Sequence, residues 1–172
     1  MNAALLSSKK MDYCTPQAFF DALNREFCFT LDAAATAKSA KCPAYYTPET
    51  DGLKSPWNLA GGGAVFCNPP YGRKIGQWVR KAYEEAQRGT TVVLLIPART
   101  DTTYFHDYIY GKAEIRFIRG RLRFTDEEGN AYAPAPFPSM VVIYNSGKGI
   151  KSESIDSLSA LRLCNCSRAE TV

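Results

Sequence analysis

Cys67-Asn68-Pro69-Pro70-Tyr71-Gly72 constrains the fold more than any other stretch of this chain. The apolar run Ala64-Val65-Phe66-Cys67 has the character of a short buried strand. It runs straight into an amide and two prolines, which lack the N–H groups that a sheet interior requires. A strand that stops so sharply ends on a rigid polar tip. In open α/β sheets, ligands bind outside the carboxyl ends of the strands, so this tip is a candidate active site.

The remaining strands are expected to alternate with helices. Phe27-Cys28-Phe29-Thr30-Leu31-Asp32 reads as a strand ending on a carboxylate. It leads into Ala33-Ala34-Ala35-Thr36, a turn of small residues like those that open nucleotide-binding crevices. Thr91-Val92-Val93-Leu94-Leu95-Ile96 is apolar throughout, as expected of a parallel strand covered on both faces, and it ends in Pro97-Ala98-Arg99-Thr100-Asp101. Ala113 to Ile118 and Ser139 to Tyr144 are further strands. Between them Gly120-Arg121-Leu122-Arg123-Phe124 alternates basic with apolar residues and Glu128-Gly129-Asn130 marks a turn, so a β-ribbon closes the order.

Thr15-Pro16 is expected to open a helix, with Thr15 as N-cap, Pro16 pre-set for the first helical position, and an apolar stripe of Ala18, Phe19, Ala22 and Leu23. Ile75, Trp78, Val79, Ala82, Tyr83 and Ala86 fall at helical spacing before Gly89, which predicts a helix over 74–88. A third helix is expected over about 102–110. Residues 36–63 form a long connection whose Tyr45, Tyr46 and Trp57 argue for packing rather than disorder, with Trp57 and Tyr46 as core or lid residues. The fold class is therefore α/β, built on a compact, mostly parallel sheet with a late antiparallel strand and helices on both faces.

At 172 residues the chain fits one domain, expected over 12–145, with a flexible arm at 1–11. The tail over 146–172 is Ser-rich with one apolar stretch, Leu158 to Leu163, and is expected to be a short helix or disordered. No apolar run approaches the roughly 20 residues of a membrane span, and Met1 to Lys10 lacks the apolar centre of a signal peptide. A cytoplasmic protein without a membrane partner is expected; the sequence leaves the oligomeric state open and favours a monomer. Six cysteines occur without a CxxC pair and beside a single histidine, His106, which favours reduced thiols over disulfides or a metal.

The formal charge of +4 is unevenly spread: residues 70–125 hold eleven Lys/Arg against five Asp/Glu, leaving −2 on the remainder. The excess follows the Asn-Pro-Pro-Tyr tip and suggests a polyanionic partner, with Arg73, Lys74, Arg99, Arg119, Arg121 and Arg123 as candidate phosphate contacts.

The tip itself suits one kind of chemistry. An exocyclic amine on a nucleobase is a poor nucleophile because its lone pair is delocalised into the ring. Two acceptors fixed on its two N–H groups pull it toward a pyramidal shape and localise that pair toward an electrophile. Asn68 Oδ1 and the Pro69 carbonyl can be those acceptors, held by a backbone that the two prolines stiffen. Tyr71 offers a flat face for a base rotated out of a duplex.

Asn68-Pro69-Pro70-Tyr71 resembles the catalytic motif of S-adenosylmethionine-dependent amino-methyltransferases acting on adenine. A wider ordered set is similar to the phage and prophage N6-adenine DNA methyltransferases, the phage Dam family. It comprises Thr15-Pro16, Leu31-Asp32-Ala33-Ala34-Ala35, Tyr45-Tyr46-Thr47, Asp51-Gly52-Leu53, Pro97-Ala98-Arg99-Thr100-Asp101-Thr102, Gly120-Arg121-Leu122-Arg123-Phe124 and Phe137-Pro138-Ser139. The resemblance covers roughly residues 12–145 and implies a trimmed, Rossmann-like methyltransferase sheet. It also implies S-adenosylmethionine as donor, S-adenosylhomocysteine as product, and adenine in DNA as target, in a duplex with the base flipped out or in a single strand. Thr15 and Pro16 would border the donor, Asp32, Ala33 and Ala34 would form the first-strand cofactor turn, and Asp51 would touch the cofactor or lie beside it. Asn68, Pro69, Pro70 and Tyr71 would hold the adenine and the approach of the methyl group, with Asn68 also facing the donor.

The chain departs from the pattern in one place: alanines stand where such enzymes carry a Gly-rich turn, which alanine can replace only at negative φ. Two alternatives remain at this level. One is a catalytically weak module of the same ancestry that binds or protects DNA; the other is a protein-glutamine methyltransferase, whose motif is also similar to Asn-Pro-Pro-Tyr.

Overall fold

Six consecutive buried residues, Val92–Pro97, make β4 the centre of the sheet. A strand with no polar position must be covered on both faces, and its side chains divide accordingly. Val93 and Leu95 pack with Phe66, Val141 and Ile143 on one face, whereas Val92, Leu94 and Ile96 pack with Leu31, Val65, Met140 and Val142 on the other. The structure, a computed structural model, describes residues 13–145 and the backbone of Ser152–Asp156. The arm expected at 1–11 and the stretch Leu158 to Leu163 lie outside the described residues.

Seven strands, β1 (Phe29–Asp32), β2 (Ala44–Tyr45), β3 (Ala64–Cys67), β4, β5 (Glu114–Arg119), β6 (Ser139–Tyr144) and β7 (Ser152–Asp156), lie in the order β2-β1-β3-β4-β6-β5-β7. β1 is parallel to β2 and β3, and β3 to β4. β6 is antiparallel to both β4 and β5, while β5 and β7 are parallel. Every strand except β6 therefore runs the same way. The carboxyl ends of β1, β3, β4 and β5 emerge at one edge of the sheet, together with the start of β6. The architecture is the expected α/β sheet, mostly parallel with a late antiparallel strand. Only the two-residue β2 separates β1 from β3 in sequence, which makes the sheet the trimmed one anticipated.

The two helices cover opposite faces. α1 (Gln17–Phe27) buries Phe19, Phe20, Ala22 and Leu23 in the first cluster, with Phe20 taking the place expected for Ala18 in the stripe. α2 (Ile75–Gln87) buries Trp78, Val79 and Ala82 in the second.

Four segments differ from expectation. Thr15 does not cap α1, whose N-terminus has no side-chain cap; its hydroxyl faces Asn68 instead. The helix expected over 102–110 is present over residues 103–109, but its last five residues, Phe105–Ile109, are π-helical, with Tyr110 N–H reaching back to Phe105 O at 2.8 Å. The 120–124 segment keeps its alternation, with Leu122 and Phe124 buried, but forms only bridges through Thr125 rather than a ladder. Within the tail, Ser152–Asp156 is a strand whose register on β5 runs from Ile115↔Ser152 to Arg119↔Asp156. It satisfies the backbone groups that β5 would otherwise present at an open edge.

The 36–63 connection is anchored rather than loose. Trp57 is buried and donates its indole N–H to Gly52 O at 2.7 Å, and Tyr46 donates to Pro56 O at 2.6 Å. A Cβ on Gly52 would stand 2.2 Å from the Ala33 carbonyl, so the loop touches the β1 turn without room for a methyl group. Gly52→Ala is expected to lower unfolding free energy by about 2 kcal/mol in urea denaturation, the usual scale for overpacking. An unchanged midpoint would show that the loop is not seated against Ala33.

Candidate active site

The converging strand ends enclose a cavity of about 340 Å³. That volume is within the range of small-molecule sites, roughly 300–1,000 Å³. Thr15, Asp32, Ala34, Asp51, Asn68, Pro69, Pro70 and Lys74 line it, so seven of the residues singled out for catalysis or cofactor binding meet in one place, with the cation Lys74 beside them.

Asn68 follows β3 directly and its amide is fixed from one side. Nδ2 donates to Tyr13 O at 2.6 Å and to Thr15 Oγ1 at 3.0 Å. The Tyr13 carbonyl can only accept, so the amide nitrogen must face it and Oδ1 must face away. Oδ1 is buried and has no hydrogen-bond partner among the described residues. A buried acceptor left unpaired costs about 1–3 kcal/mol, so it marks a place where a donor is wanted. The Thr15 hydroxyl, with the Tyr13 carbonyl, thus holds the amide in this orientation.

Tyr71, expected to offer a flat face to a base rotated out of a duplex, is only 8% exposed. Its ring is buried in the α1-side cluster and its hydroxyl donates to Leu95 O at 3.2 Å. Burial holds its phenol well above the usual range. Tyr13 stacks on it at 5.7 Å between centroids, and Tyr13 rather than Tyr71 reaches the cavity.

Asp32, at the end of β1, is the electrostatic centre of the opposite wall. It is 3% exposed, and its carboxylate accepts from Ala34 N–H at 3.3 Å and Lys41 N–H at 3.1 Å. Burial pushes its pKa up to about 6, against the lowering effect of those two N–H groups and of the Lys41 charge. The N–H groups of Ala33, Ala34 and Ala35 go to Phe66 O, Asp32 Oδ1 and Tyr46 O, so the turn is wired into the protein. Positive φ among non-glycine residues occurs at Cys28 and Asp51, not at Ala33, Ala34 or Ala35. Alanine therefore fits this turn without strain, and no glycine is needed. Ala33 is fully buried behind the cavity wall, and Pro16 stands at the start of α1 away from it.

Asp51 lies on the rim in a left-handed conformation (φ 49°), accepting from Leu53 N–H at 3.1 Å. A hydrogen bond from Lys54 holds its carboxyl below the usual range. Sequence reading did not single out Lys41, Trp78 or Glu127, which also line the cavity. Trp78 carried only a helical-stripe signal, and Glu127 arrives through a contact distant in sequence, accepting from Thr36 Oγ1 at 2.6 Å.

The candidate phosphate contacts do not enter the cavity, apart from Lys74. Arg73, Arg99, Arg119, Arg121 and Arg123 are exposed; Arg73 follows β3, Arg99 follows β4, Arg119 ends β5, and Arg121 and Arg123 lie just beyond it. Of the described cysteines, Cys42 and Cys67 are buried, Cys14 is half-buried and Cys28 is exposed. No helix among the described residues is long and apolar enough to cross a membrane.

The sequence matches the DNA N-6-adenine-methyltransferase (Dam) family over residues 2–165. It is 35% identical over 105 residues to the DNA N-6-adenine-methyltransferase of Escherichia phage T1, a match covering 61% of this chain and 42% of that protein. It is also 44% identical over 61 residues to the YfdM protein of Escherichia coli K12, covering 33% of this chain and 67% of that one. The chain thus spans less than half the length of the phage T1 relative. With the family match extending through nearly the whole chain, from before Tyr13 to beyond β7, the chain belongs to the DNA N-6-adenine-methyltransferase family.

Proposed function

We propose that this protein transfers a methyl group from S-adenosylmethionine to the exocyclic N6 amine of adenine in DNA. The observation that carries this is the buried, unpartnered Asn68 Oδ1 at the tip of β3, on the wall of a cavity large enough for a small-molecule cofactor. The residues fit the cofactor. Asp32 and Asp51 bring carboxylates to a cavity that a cation would enter, while Ala34, Leu53 and Trp78 give it apolar walls. When bound, S-adenosylmethionine supplies a methyl group on a positively charged sulfur and leaves as S-adenosylhomocysteine.

The chain's own residues supply position and electrostatics. Asn68 Oδ1 and the Pro69 carbonyl each accept one amine hydrogen of a base rotated out of the duplex, which localises the nitrogen lone pair toward the methyl group. Thr15 and the Tyr13 carbonyl prevent the Asn68 amide from turning over. Asp32 holds the 33–41 segment, and with it the donor side of the cavity. The nitrogen attacks before it loses a proton, so no buried base is required, and the surplus proton leaves the product ammonium afterwards. The exposed arginines at the same edge would meet phosphates beside the flipped base. The turn at Ala33 to Ala35 adopts negative φ, which removes the steric argument for a module that cannot bind a donor.

Asn68→Ala is expected to lower methyl transfer to unmethylated DNA by at least about 10²-fold, the scale of losing a preorganised electrostatic contact, while the Kd for S-adenosylmethionine stays within a few fold. A collapse of donor binding instead would place Asn68 on the cofactor side. Arg121→Ala should weaken DNA binding and reduce the salt slope by about one, as for one phosphate contact; an unchanged slope would remove it from the interface. Donor affinity should also depend on pH. Because Asp32 has a pKa of about 6 in the folded protein, it gains charge as pH rises through that value, and a neighbouring cation binds its charged form better. Titrations from about pH 7 down to pH 5 should show several-fold weaker binding of S-adenosylmethionine. A flat profile would separate Asp32 from the donor.

A further inference from the structure

We infer that the phenol ring of Tyr13 fills the seat of the target base when DNA is absent, and that a base enters by exchanging with it, ring for ring. The inference rests on the reading above that Asn68 meets a base amine.

Tyr71, the aromatic side chain of the Asn-Pro-Pro-Tyr tip, is 8% exposed and cannot receive a base as it stands. What covers it is another flat ring. Tyr13 stacks on Tyr71 with a centroid separation of 5.7 Å and an interplanar angle of 29°. Phe137 and Tyr132 meet Tyr13 edge-on at 86° and 88°, and Phe124 lies tilted against it at 5.2 Å. One face below and ring edges around the sides is the arrangement that favours a planar aromatic guest. The guest in place is Tyr13, and it alone of these five rings lines the cavity shared with Asn68 and Pro69.

The backbone beneath that ring is held by hydrogen bonds, whereas the ring is held by packing against its aromatic neighbours. Tyr13 O accepts from Asn68, and Cys14 exchanges N–H···O bonds with Thr125 at 3.1 and 3.0 Å. The side chain is half-buried, so a rotation about Cα–Cβ swings the phenol toward solvent without breaking any of these main-chain contacts. Tyr71 lacks that freedom, since its hydroxyl is tied to Leu95 O. A base slipped between the two rings would need them about 7 Å apart, two contact layers, which is wider than the gap between them. Exchange leaves the cage at its present size, whereas a sandwich would force it open. The carbonyl of the departing residue stays on Asn68, so the acceptor Oδ1 keeps its aim as the seat empties.

The competing view is that Tyr13 simply roofs the core. Both views predict that Tyr13→Ala loses stability, so the test reads ligand binding. The full chain, saturated with S-adenosylhomocysteine to block the donor side, is titrated by calorimetry with 2′-deoxyadenosine, which carries the N6 amine. In parallel, KM for unmethylated DNA is measured with S-adenosylmethionine.

Tyr13→Ala is expected to bind the nucleoside about tenfold more tightly than wild type, because the closed form no longer competes, and to lower KM for DNA. Tyr13→Phe, which keeps the ring, should return both quantities to wild-type values. Should Tyr13→Ala not fold, Tyr13→Val takes its place. Equal nucleoside binding by wild type and the truncated variants, or a KM for DNA that rises, overturns the exchange. If wild type methylates DNA while the nucleoside arm shows no gain, the exchange fails and the function stands. If no protein methylates DNA but truncation admits the nucleoside, the function fails and the exchange stands.

Discussion

The amide of Asn68 is the contact on which the site depends. Its two N–H groups are held by the Tyr13 carbonyl and the Thr15 hydroxyl, which leaves Oδ1 buried and unpaired at the tip of β3. Such an arrangement is unstable for its own sake, since the unpaired acceptor costs free energy on folding. It persists because its surroundings determine it. The carboxyl end of a fully buried strand fixes the Asn68 backbone, the prolines remove alternative conformations, and the segment before α1 locks the side chain. The fold accepts a local cost so that an incoming donor group gains a partner that needs no rearrangement.

The rest of the architecture supports this tip from two sides. Because every strand but β6 runs in one direction, β1, β3, β4 and β5 deliver their polar ends to one edge. Asp32, Asn68, Arg99 and Gly120 thus become neighbours along that edge although they span much of the sequence. On one side, Asp32 organises the 33–41 segment through two backbone N–H groups, and Lys41 Nζ ties that segment to Gln17 of α1 at 2.9 Å. On the other side, Tyr71 belongs to an aromatic group that is continuous with the core beneath α1.

Much of this was legible in the sequence, and the reasons differ residue by residue. Ala64–Cys67 has the same bounds in the chain as in the reading, because an apolar run cut by Asn-Pro-Pro leaves no other register. β4 was equally plain from its unbroken apolar composition. Three features were not legible. The Thr15 hydroxyl turns to Asn68 rather than to its own helix, a choice made by a partner 53 positions away. Ser-Glu-Ser-Ile-Asp carries no apolar alternation, so β7 is drawn into the sheet by the open edge of β5 rather than by its own propensity. Tyr13 precedes the first helix without any periodic signal, and only the folded chain brings it onto Tyr71. Local pattern identified the elements and the polar tip of β3, and tertiary contact decided what surrounds that tip.

The central claim is that the Asn68 acceptor serves the exocyclic amine of adenine in DNA. It is tested most directly by incubating the purified chain with methyl-labelled S-adenosylmethionine and unmethylated DNA, digesting to nucleosides, and locating the label. The account predicts label in N6-methyldeoxyadenosine, absent from the deoxycytidine fraction. Label in methylated cytosine, or donor binding without any label in DNA, would contradict it.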